Sequence, residues 1–149
     1  TVTTFFPPHA DDIRGFGALF PPASGLRASG VLMNTEIFED RGHVRSETWI
    51  FSDRDGAVTS WPDADLVRAI LEDRQRLTRR KAEPLHVRIT RWPAAIPVYD
   101  AAVLETQSLL DRLPPWLALS GNYLGALGVA RLIERAEQSA ARLAEHGRG

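Results

Sequence analysis

The residues best suited to chemistry lie in a glycine-rich stretch towards the end of this 149-residue chain. Gly121, Gly125 and Gly128 interrupt the chain within eight positions, and a helical pattern starts at about Leu127. The start of a helix offers free backbone N–H groups and the positive end of the helix dipole, which suit a phosphate or another electron-rich group. Glycine also lets the backbone approach a flat or anionic ligand closely. The spacing GxxxGxxG is a weak motif by itself, and a tight strand-to-helix connection in a core would also produce it.

Two elements would have to position this turn. Residues 116–119 form a short apolar run, which is typical of a buried strand. After the turn, apolar residues recur at helical spacing and predict an amphipathic helix that buries this stripe. The stripe consists of Leu127, Ala130, Ile133, Ala136 and Ala140. The chain is therefore predicted to end in strand, glycine turn and helix.

The composition is that of one soluble globular domain with a net charge of −1. A charge this close to zero gives no electrostatic basis for binding nucleic acid, and the sequence shows neither a signal peptide nor a strong membrane signal. The lack of cysteine excludes disulfides and cysteine-ligated metals, and it fits a reducing, cytoplasmic location. Because the chain starts at Thr1 rather than Met, we expect a fragment, a processed subunit or an excised domain. The sequence leaves open whether the protein forms a homo-oligomer.

Alternating and β-branched residues predict strands before the glycine-rich stretch. They lie at Val2–Phe6 and at residues 16–20, 26–38, 45–52 and 85–92. Short polar loops between them favour an antiparallel meander, and Gly30 is expected to mark a bulge. The predicted fold class is α+β, with an antiparallel or mixed sheet and flanking helices.

Residues 60–80 carry the clearest amphipathic helix of the first half, with Ser60 or Asp63 as its N-cap. Basic residues at its end, Arg74 among them, are expected to form a solvated helix end rather than a nucleic-acid patch. Acidic residues share this helix, and basic side chains favour a helix C-terminus in any case. The predicted apolar face consists of Leu66, Ile70, Leu71 and Leu77.

The link to the next helix is stiff and aromatic. Residues 92–99 place two prolines between Trp92 and Tyr99, which favours an extended segment. This segment either packs on the core or forms a wall against a flat ligand. Asp100 then caps a helix that ends at Arg112. The inward residues predicted for it are Ala101, Leu104, Ser108 and Leu109.

Two other clusters contain residue types that occur in metal sites or in phosphate-binding loops. His9, Asp11 and Asp12 could ligate a metal, but a short polar cluster between elements is typical of a solvated turn, and no metal site is predicted. Residues 15–17 read Gly-Phe-Gly, yet the Pro-Pro pair that follows cannot open a helix. This segment is therefore predicted to be a strand rather than a phosphate loop.

Four segments, taken in order, resemble the C-terminal end of protoporphyrinogen oxidases, in the FAD-dependent amine oxidase superfamily. They are GFGALFP at 15–21, the turn at 38–41 with the ETWIF strand after it, RWPAAIPVY at 91–99 and LSGNYLGALGVARLIERA at 119–136. The resemblance covers nearly the whole chain, and the joint order of the segments is more specific than any one of them. Glu39, Val98 and Ala126 depart from the family's pattern, which leaves the substrate open.

The resemblance implies a set of flavin-contacting residues on two segments. The set consists of Trp92, Gly121, Asn122, Gly125, Leu127, Gly128 and Val129. Trp92 would lie near the flavin ring, and the backbone amides of the last three would face its pyrimidine edge. A helix N-terminus there would stabilise the negative charge of reduced flavin. No catalytic acid or base stands out in the sequence.

The family's GxGxxG unit, which would hold the ADP half of FAD, does not occur in this sequence. The resemblance therefore implies that residues 1–98 belong to a substrate domain and residues 99–149 close the FAD-binding domain. The expected partners are a missing N-terminal FAD-binding segment or subunit and a small-molecule substrate. The chain would then be part of an FAD-dependent oxidoreductase and inactive alone. The alternative is a non-catalytic binding or interaction module that keeps the fold without that unit.

Overall fold

The computed structural model describes residues 1–10, 13–40, 42–52, 58–110, 112–125 and 127–146. The chain divides into two compact units, Thr1–Pro93 and Ala94–Gly149, called here the first and the second unit. Asp11 and Asp12 of the predicted polar turn lie outside the described residues. The assignment of residues 1–98 to a substrate domain and of 99–149 to an FAD-binding domain stays a prediction.

The first unit is built on one antiparallel sheet of five strands in the order β2-β3-β4-β1-β5. The strands are β1 Val2–Phe6, β2 Gly17–Leu19, β3 Gly30–Met33, β4 Arg45–Ile50 and β5 His86–Ile89. The neighbours β2, β3 and β4 form the predicted meander, and β1 adds to its far side between β4 and β5. The predicted α+β class with an antiparallel sheet is confirmed.

Gly30 is not a bulge, because it pairs in regular register with Leu19 on one side and Ile50 on the other. A Cβ placed on Gly30 would come within 2.8 Å of the Ala18 carbonyl oxygen. Glycine is needed there for the close approach of two backbones rather than for an extra residue in the strand. Beyond β3 the chain makes the short helix α1, Asn34–Ile37, so the predicted strand at 26–38 is shorter than expected.

The helix α2, Asp63–Thr78, covers one face of the sheet. Val2, Val31 and Trp49 point from the sheet into a shared core, because the register aligns both valines with Trp49. Leu66 and Ile70 of α2 close this core. The predicted N-caps of α2 are wrong: Pro62 occupies the cap position in an extended conformation, with no side-chain cap. The acidic residues in the first turn still complement the helix dipole.

Charged side chains also lie inside the first unit. Glu47 on β4 and Arg74 on α2 are both buried, and Arg74 Nε lies 3.1 Å from each carboxylate oxygen of Glu47. Trp49 Nε1 donates to the same carboxylate at 3.2 Å, and the Arg74 guanidinium lies 4.2 Å from the ring centre of Phe6. The predicted solvated helix end is therefore wrong for Arg74, because β4 supplies it with a buried partner. Leu77, predicted to be buried, is 41% exposed.

The second unit consists of helices and turns among its described residues. They are α3 Ala101–Leu110, the 3₁₀ turn Asn122–Leu124 and α4 Val129–His146. Residues 116–119 do not form the predicted strand: Leu117 N–H bonds back to the Pro114 carbonyl in a turn. The described part of this unit holds no strand that could pair with them, and a lone strand leaves its backbone groups unpaired.

The two helices of the second unit pack differently from the prediction. On α3 the half-buried residues are Val103, Gln107 and Leu110, whereas all four residues predicted to be inward are exposed. On α4 the predicted apolar stripe is exposed, and a different set is half-buried. This set consists of Leu132, Arg135, Ser139 and Leu143. Within the described ranges, no helix combines the length and apolarity needed to cross a lipid bilayer.

Candidate functional site

The predicted glycine turn connects residues 116–120 to α4. Gly121 precedes the 3₁₀ turn Asn122–Leu124, and Gly125 follows it with a φ of 85°, in the left-handed region. Gly128 adopts a φ of 93° directly before α4, which begins at Val129. Both angles favour glycine over any residue with a Cβ. The predicted sequence of glycine turn followed by helix is therefore confirmed.

Side chains from three parts of the second unit hold the carbonyl groups of this turn. Gln107 Nε2 on α3 donates to the Leu124 carbonyl at 3.0 Å, and Arg135 on α4 donates to the same oxygen. The Tyr99 hydroxyl, just before α3, donates to the Asn122 carbonyl. We call these three residues, Tyr99, Gln107 and Arg135, the carbonyl clamp.

The two sides of the turn differ in the space around them. A Cβ on Gly125 would lie 2.6 Å from Gln107 Nε2, so the turn packs tightly on the clamp there. A Cβ on Gly128 would meet no atom within 4 Å. Gly125 is therefore required both for its backbone conformation and for space, whereas Gly128 is required for conformation alone and stands on an open side.

The open side combines hydrogen-bond donors with apolar surface. The first helical bond at this end of α4 runs from Leu132 N–H to the Gly128 carbonyl, so the amides before Leu132 precede the regular helical bonding. The side chains around them are apolar and exposed: Val129 is 73% exposed, and Leu127 and Tyr123 are about half exposed. Such a surface suits a flat group that has apolar faces and an electron-rich edge.

Trp92 lies in the first unit, three residues beyond the end of β5. This residue is 57% exposed, and its Nε1 donates to Thr1 Oγ1 at 3.3 Å. The preceding Arg91 is bound to the start of α2: it donates to the Thr59 and Trp61 carbonyls and pairs with Asp63 at 2.7 Å.

The amino group of Thr1 lies in the same region and donates to the Thr90 carbonyl at 2.8 Å. Burial lowers the pKa of this amino group, and the nearby positive charge of Arg91 lowers it further. Trp92 is thus held through its neighbour Arg91 and through its own indole nitrogen, while more than half of the residue stays exposed.

The structure brings most of the predicted site residues together. Six of them, all except Trp92, belong to one turn of the second unit. Residue patterns did not reveal the carbonyl clamp, although Gln107 gave a signal: it lies four positions from Val103 on a helix, so the two share one half-buried face. Among the described residues, no group of three or more His, Asp or Glu side chains is placed to hold a metal.

Comparison with known proteins identifies relatives of this chain. No family model matches it. The chloroplastic protoporphyrinogen oxidase of Nicotiana tabacum is 30% identical over 139 residues, which cover 87% of this chain and 25% of the relative. The coproporphyrinogen III oxidase of Propionibacterium freudenreichii subsp. freudenreichii is 30% identical over 124 residues, which cover 80% of this chain and 23% of the relative.

A solved structure shares the fold. The crystal structure of a protein from Exiguobacterium sp. 255-15, provisionally assigned as a protoporphyrinogen oxidase, matches with a TM-score of 0.68 and 19% identity, over 95% of this chain and 34% of that one. The chain spans about a quarter of the length of the curated relatives it matches. The resemblance expected from the sequence is confirmed: over most of its length, this chain is similar to protoporphyrinogen oxidases.

Proposed function

We propose that this chain supplies the flavin-ring side of an FAD site and part of the substrate domain in a protoporphyrinogen oxidase-like oxidoreductase. One observation carries the proposal: a glycine turn whose carbonyls are held on one side presents an open face at the start of α4 on the other. FAD, when bound, supplies the redox chemistry, and the protein's part is to bind and orient it.

The open face fits a flavin ring better than a phosphate group. A phosphate needs N–H donors and gains nothing from apolar neighbours, whereas the isoalloxazine has apolar faces as well as acceptors along its pyrimidine edge. Leu127 and Val129 offer exposed apolar surface beside the amides at the start of α4. We infer that these residues contact the ring and that Gly128 leaves room for its edge. From the sequence resemblance we also propose that Trp92, in the first unit, contacts the cofactor.

The substrate class follows from the relatives. Their names identify protoporphyrinogen and coproporphyrinogen III as substrates, so we propose a porphyrinogen for this protein. We propose that a further segment holds the ADP half of FAD, because this chain spans about a quarter of the length of its relatives and contains no GxGxxG unit. A cytoplasmic location remains a prediction.

A second candidate function rests on the exposed apolar side chains of the second unit. Leu104, Trp116 and Ile133 are more than half exposed, which is also what an interaction module would show. Such a module would bind a protein partner and no flavin. Flavin binding by the full-length protein, meaning this chain together with the segment for the ADP half, separates the two candidates.

The first test compares two glycines that differ only in their expected role. Gly15 and Gly128 both have a positive φ, and a Cβ on either would meet no atom within 4 Å. Alanine at each position therefore costs a similar backbone strain, on the order of 1 kcal/mol. In the full-length protein, Gly128→Ala should lower flavin occupancy and Gly15→Ala should not. Equal occupancy in both variants would contradict a flavin at this turn.

A second test uses Trp92 and the chain alone. Purified without the missing segment, the chain should be colourless, and a flavin spectrum that survives desalting would show that no further segment is needed.

In the full-length protein, Trp92→Ala should weaken FAD retention and leave the unfolding curve almost unchanged, because the residue is 57% exposed. A large loss of stability with normal flavin content would instead identify Trp92 as a packing residue.

A further inference from the structure

We infer that Tyr99, Gln107 and Arg135, the carbonyl clamp, are positioning residues that aim the backbone N–H groups of the glycine turn at its ligand. The identity of that ligand as flavin rests on the proposed function, whereas the positioning itself rests on contacts within the second unit. None of the three touches the open face through the hydrogen bonds it makes here, so their effect on a ligand would pass through the backbone.

The clamp binds two carbonyls that are close in sequence but is built from distant parts of the chain. Tyr99 is 23 residues from Asn122, Gln107 is 17 residues from Leu124, and Arg135 is 11 residues from it. The Leu124 carbonyl receives both the Gln107 amide and the Arg135 guanidinium, which together use both of its lone pairs. Leu124 is also the one apolar side chain of the second unit that is fully buried among its described residues.

Holding a carbonyl also orients the amide that follows it. In a trans peptide the C=O and N–H groups point in opposite directions across one rigid plane. With the Leu124 carbonyl turned towards the clamp, the Gly125 N–H must point away from it. The Asn122 carbonyl fixes the Tyr123 N–H in the same way. The clamp thereby sets the directions of the Tyr123 and Gly125 N–H groups.

The choice of glycine at position 125 agrees with this role. Any larger residue would place its Cβ 2.6 Å from the donating nitrogen of Gln107 and push the clamp off the carbonyl. Gly128, on the ligand side, has no such neighbour. The Asn122 carbonyl lies on an exposed part of the turn, where water would satisfy it without the Tyr99 hydroxyl.

The first experiment measures order in the turn, using this chain without any cofactor. Tyr99→Phe and Gln107→Met each remove one donor and keep most of the side chain. Their controls are Thr106→Val, which removes a hydroxyl that bonds the Ala102 carbonyl within α3, and Gln138→Met on an exposed part of α4. Backbone ¹⁵N order parameters of residues 124, 125 and 127–129 should fall from about 0.85 towards 0.6 in the clamp variants alone.

The second experiment measures FAD affinity of the same four variants in the full-length protein. Each clamp variant should bind FAD about fivefold more weakly than its control, the effect of one lost hydrogen bond. Unchanged order parameters in both clamp variants would overturn the inference, and so would a loosened turn with unchanged affinity. A wild-type protein that binds no flavin, together with a loosened turn in the variants, would overturn the proposed function and leave the clamp in place.

Discussion

The two units of this chain differ in how they bury apolar side chains. The first unit closes a core between its sheet and α2, in which Trp49 has an exposed fraction of 0%. The second unit has one fully buried apolar side chain among its described residues, Leu124. Many of its large apolar side chains are exposed instead: Ile96, Val98, Leu104, Leu109, Trp116, Leu119, Tyr123, Leu127, Val129 and Ile133.

This difference separates a unit that contains its own core from one that leaves most of its large apolar side chains exposed. Burying apolar surface is the main driving force of folding, so a helix pair with so many exposed apolar side chains gains little stability from its own contacts. The relatives are about four times longer than this chain, which leaves ample sequence to cover such a surface. We propose that the missing segment packs against the second unit in the full-length protein.

The largest effect should come from paired tryptophan substitutions. Trp49→Ala removes a fully buried side chain and should cost about 3–5 kcal/mol of unfolding free energy in this chain. Trp116 is 75% exposed, so Trp116→Ala should change the unfolding free energy by less than about 0.5 kcal/mol. Urea unfolding followed by far-UV circular dichroism measures both. A similar loss for the two variants would remove the contrast between the units.

A smaller difference is expected between two aspartates that bind backbone amides in the same way. Asp73 is buried and accepts from the N–H groups of Arg27 and Ala28 at 2.8 and 2.9 Å. Asp73→Ala would leave these donors unpaired, at a cost of about 2–4 kcal/mol. Asp100 caps the exposed start of α3, and Asp100→Ala should cost about 0.5–2 kcal/mol. The reverse order of the two losses in denaturant unfolding would contradict the assignment of the core to the first unit.

A third prediction tests the open face of the second unit in the flavin-loaded full-length protein. A carboxylate at position 129 should oppose the negative charge of reduced flavin by about 1–3 kcal/mol. For a two-electron couple this lowers the midpoint potential by roughly 20–60 mV. Val129→Asp should show the shift and Val129→Asn, close in size but neutral, should not. Equal potentials across a range of pH, with flavin bound in both variants, would mean that α4 does not face the ring.

The smallest effect concerns the exposed stripe of α4. Ile133 is 53% exposed, so Ile133→Ser should change the unfolding free energy of this chain by less than about 0.5 kcal/mol. If the missing segment covers this stripe, the same substitution should be clearly more destabilising in the full-length protein. A thermal unfolding series on both proteins decides this, and equal small losses would show that the stripe stays exposed.

Apolar patterns were more reliable in the unit that buries its own core. The predictions of β1 and of β5, in which Val87 and Ile89 alternate with exposed neighbours, hold in the first unit. The same reasoning failed on α3 and α4, where the predicted inward faces are exposed. Apolar periodicity identifies a helix face that is stabilised by burial. It does not say whether the segment that buries this face belongs to the same chain.

The sequence by itself determined the backbone preferences of this protein. Alternation set the strands, helical periodicity set α2 and α4, and the glycines set the turn before α4, because each depends on residues within a few positions of one another. The sequence also carried the resemblance that the relatives confirm. These features needed no knowledge of distant contacts.

Only the tertiary structure decided which polar side chains lie inside. Arg74 meets its partner Glu47 across 27 residues, and Gln107 meets the Leu124 carbonyl across 17. Neither pair shares a helix turn or a strand register, so no local spacing predicts it. A buried charge or a held carbonyl is stable only when its partner is brought within hydrogen-bond distance, and that distance is set by how the elements pack rather than by the order of residues along the chain.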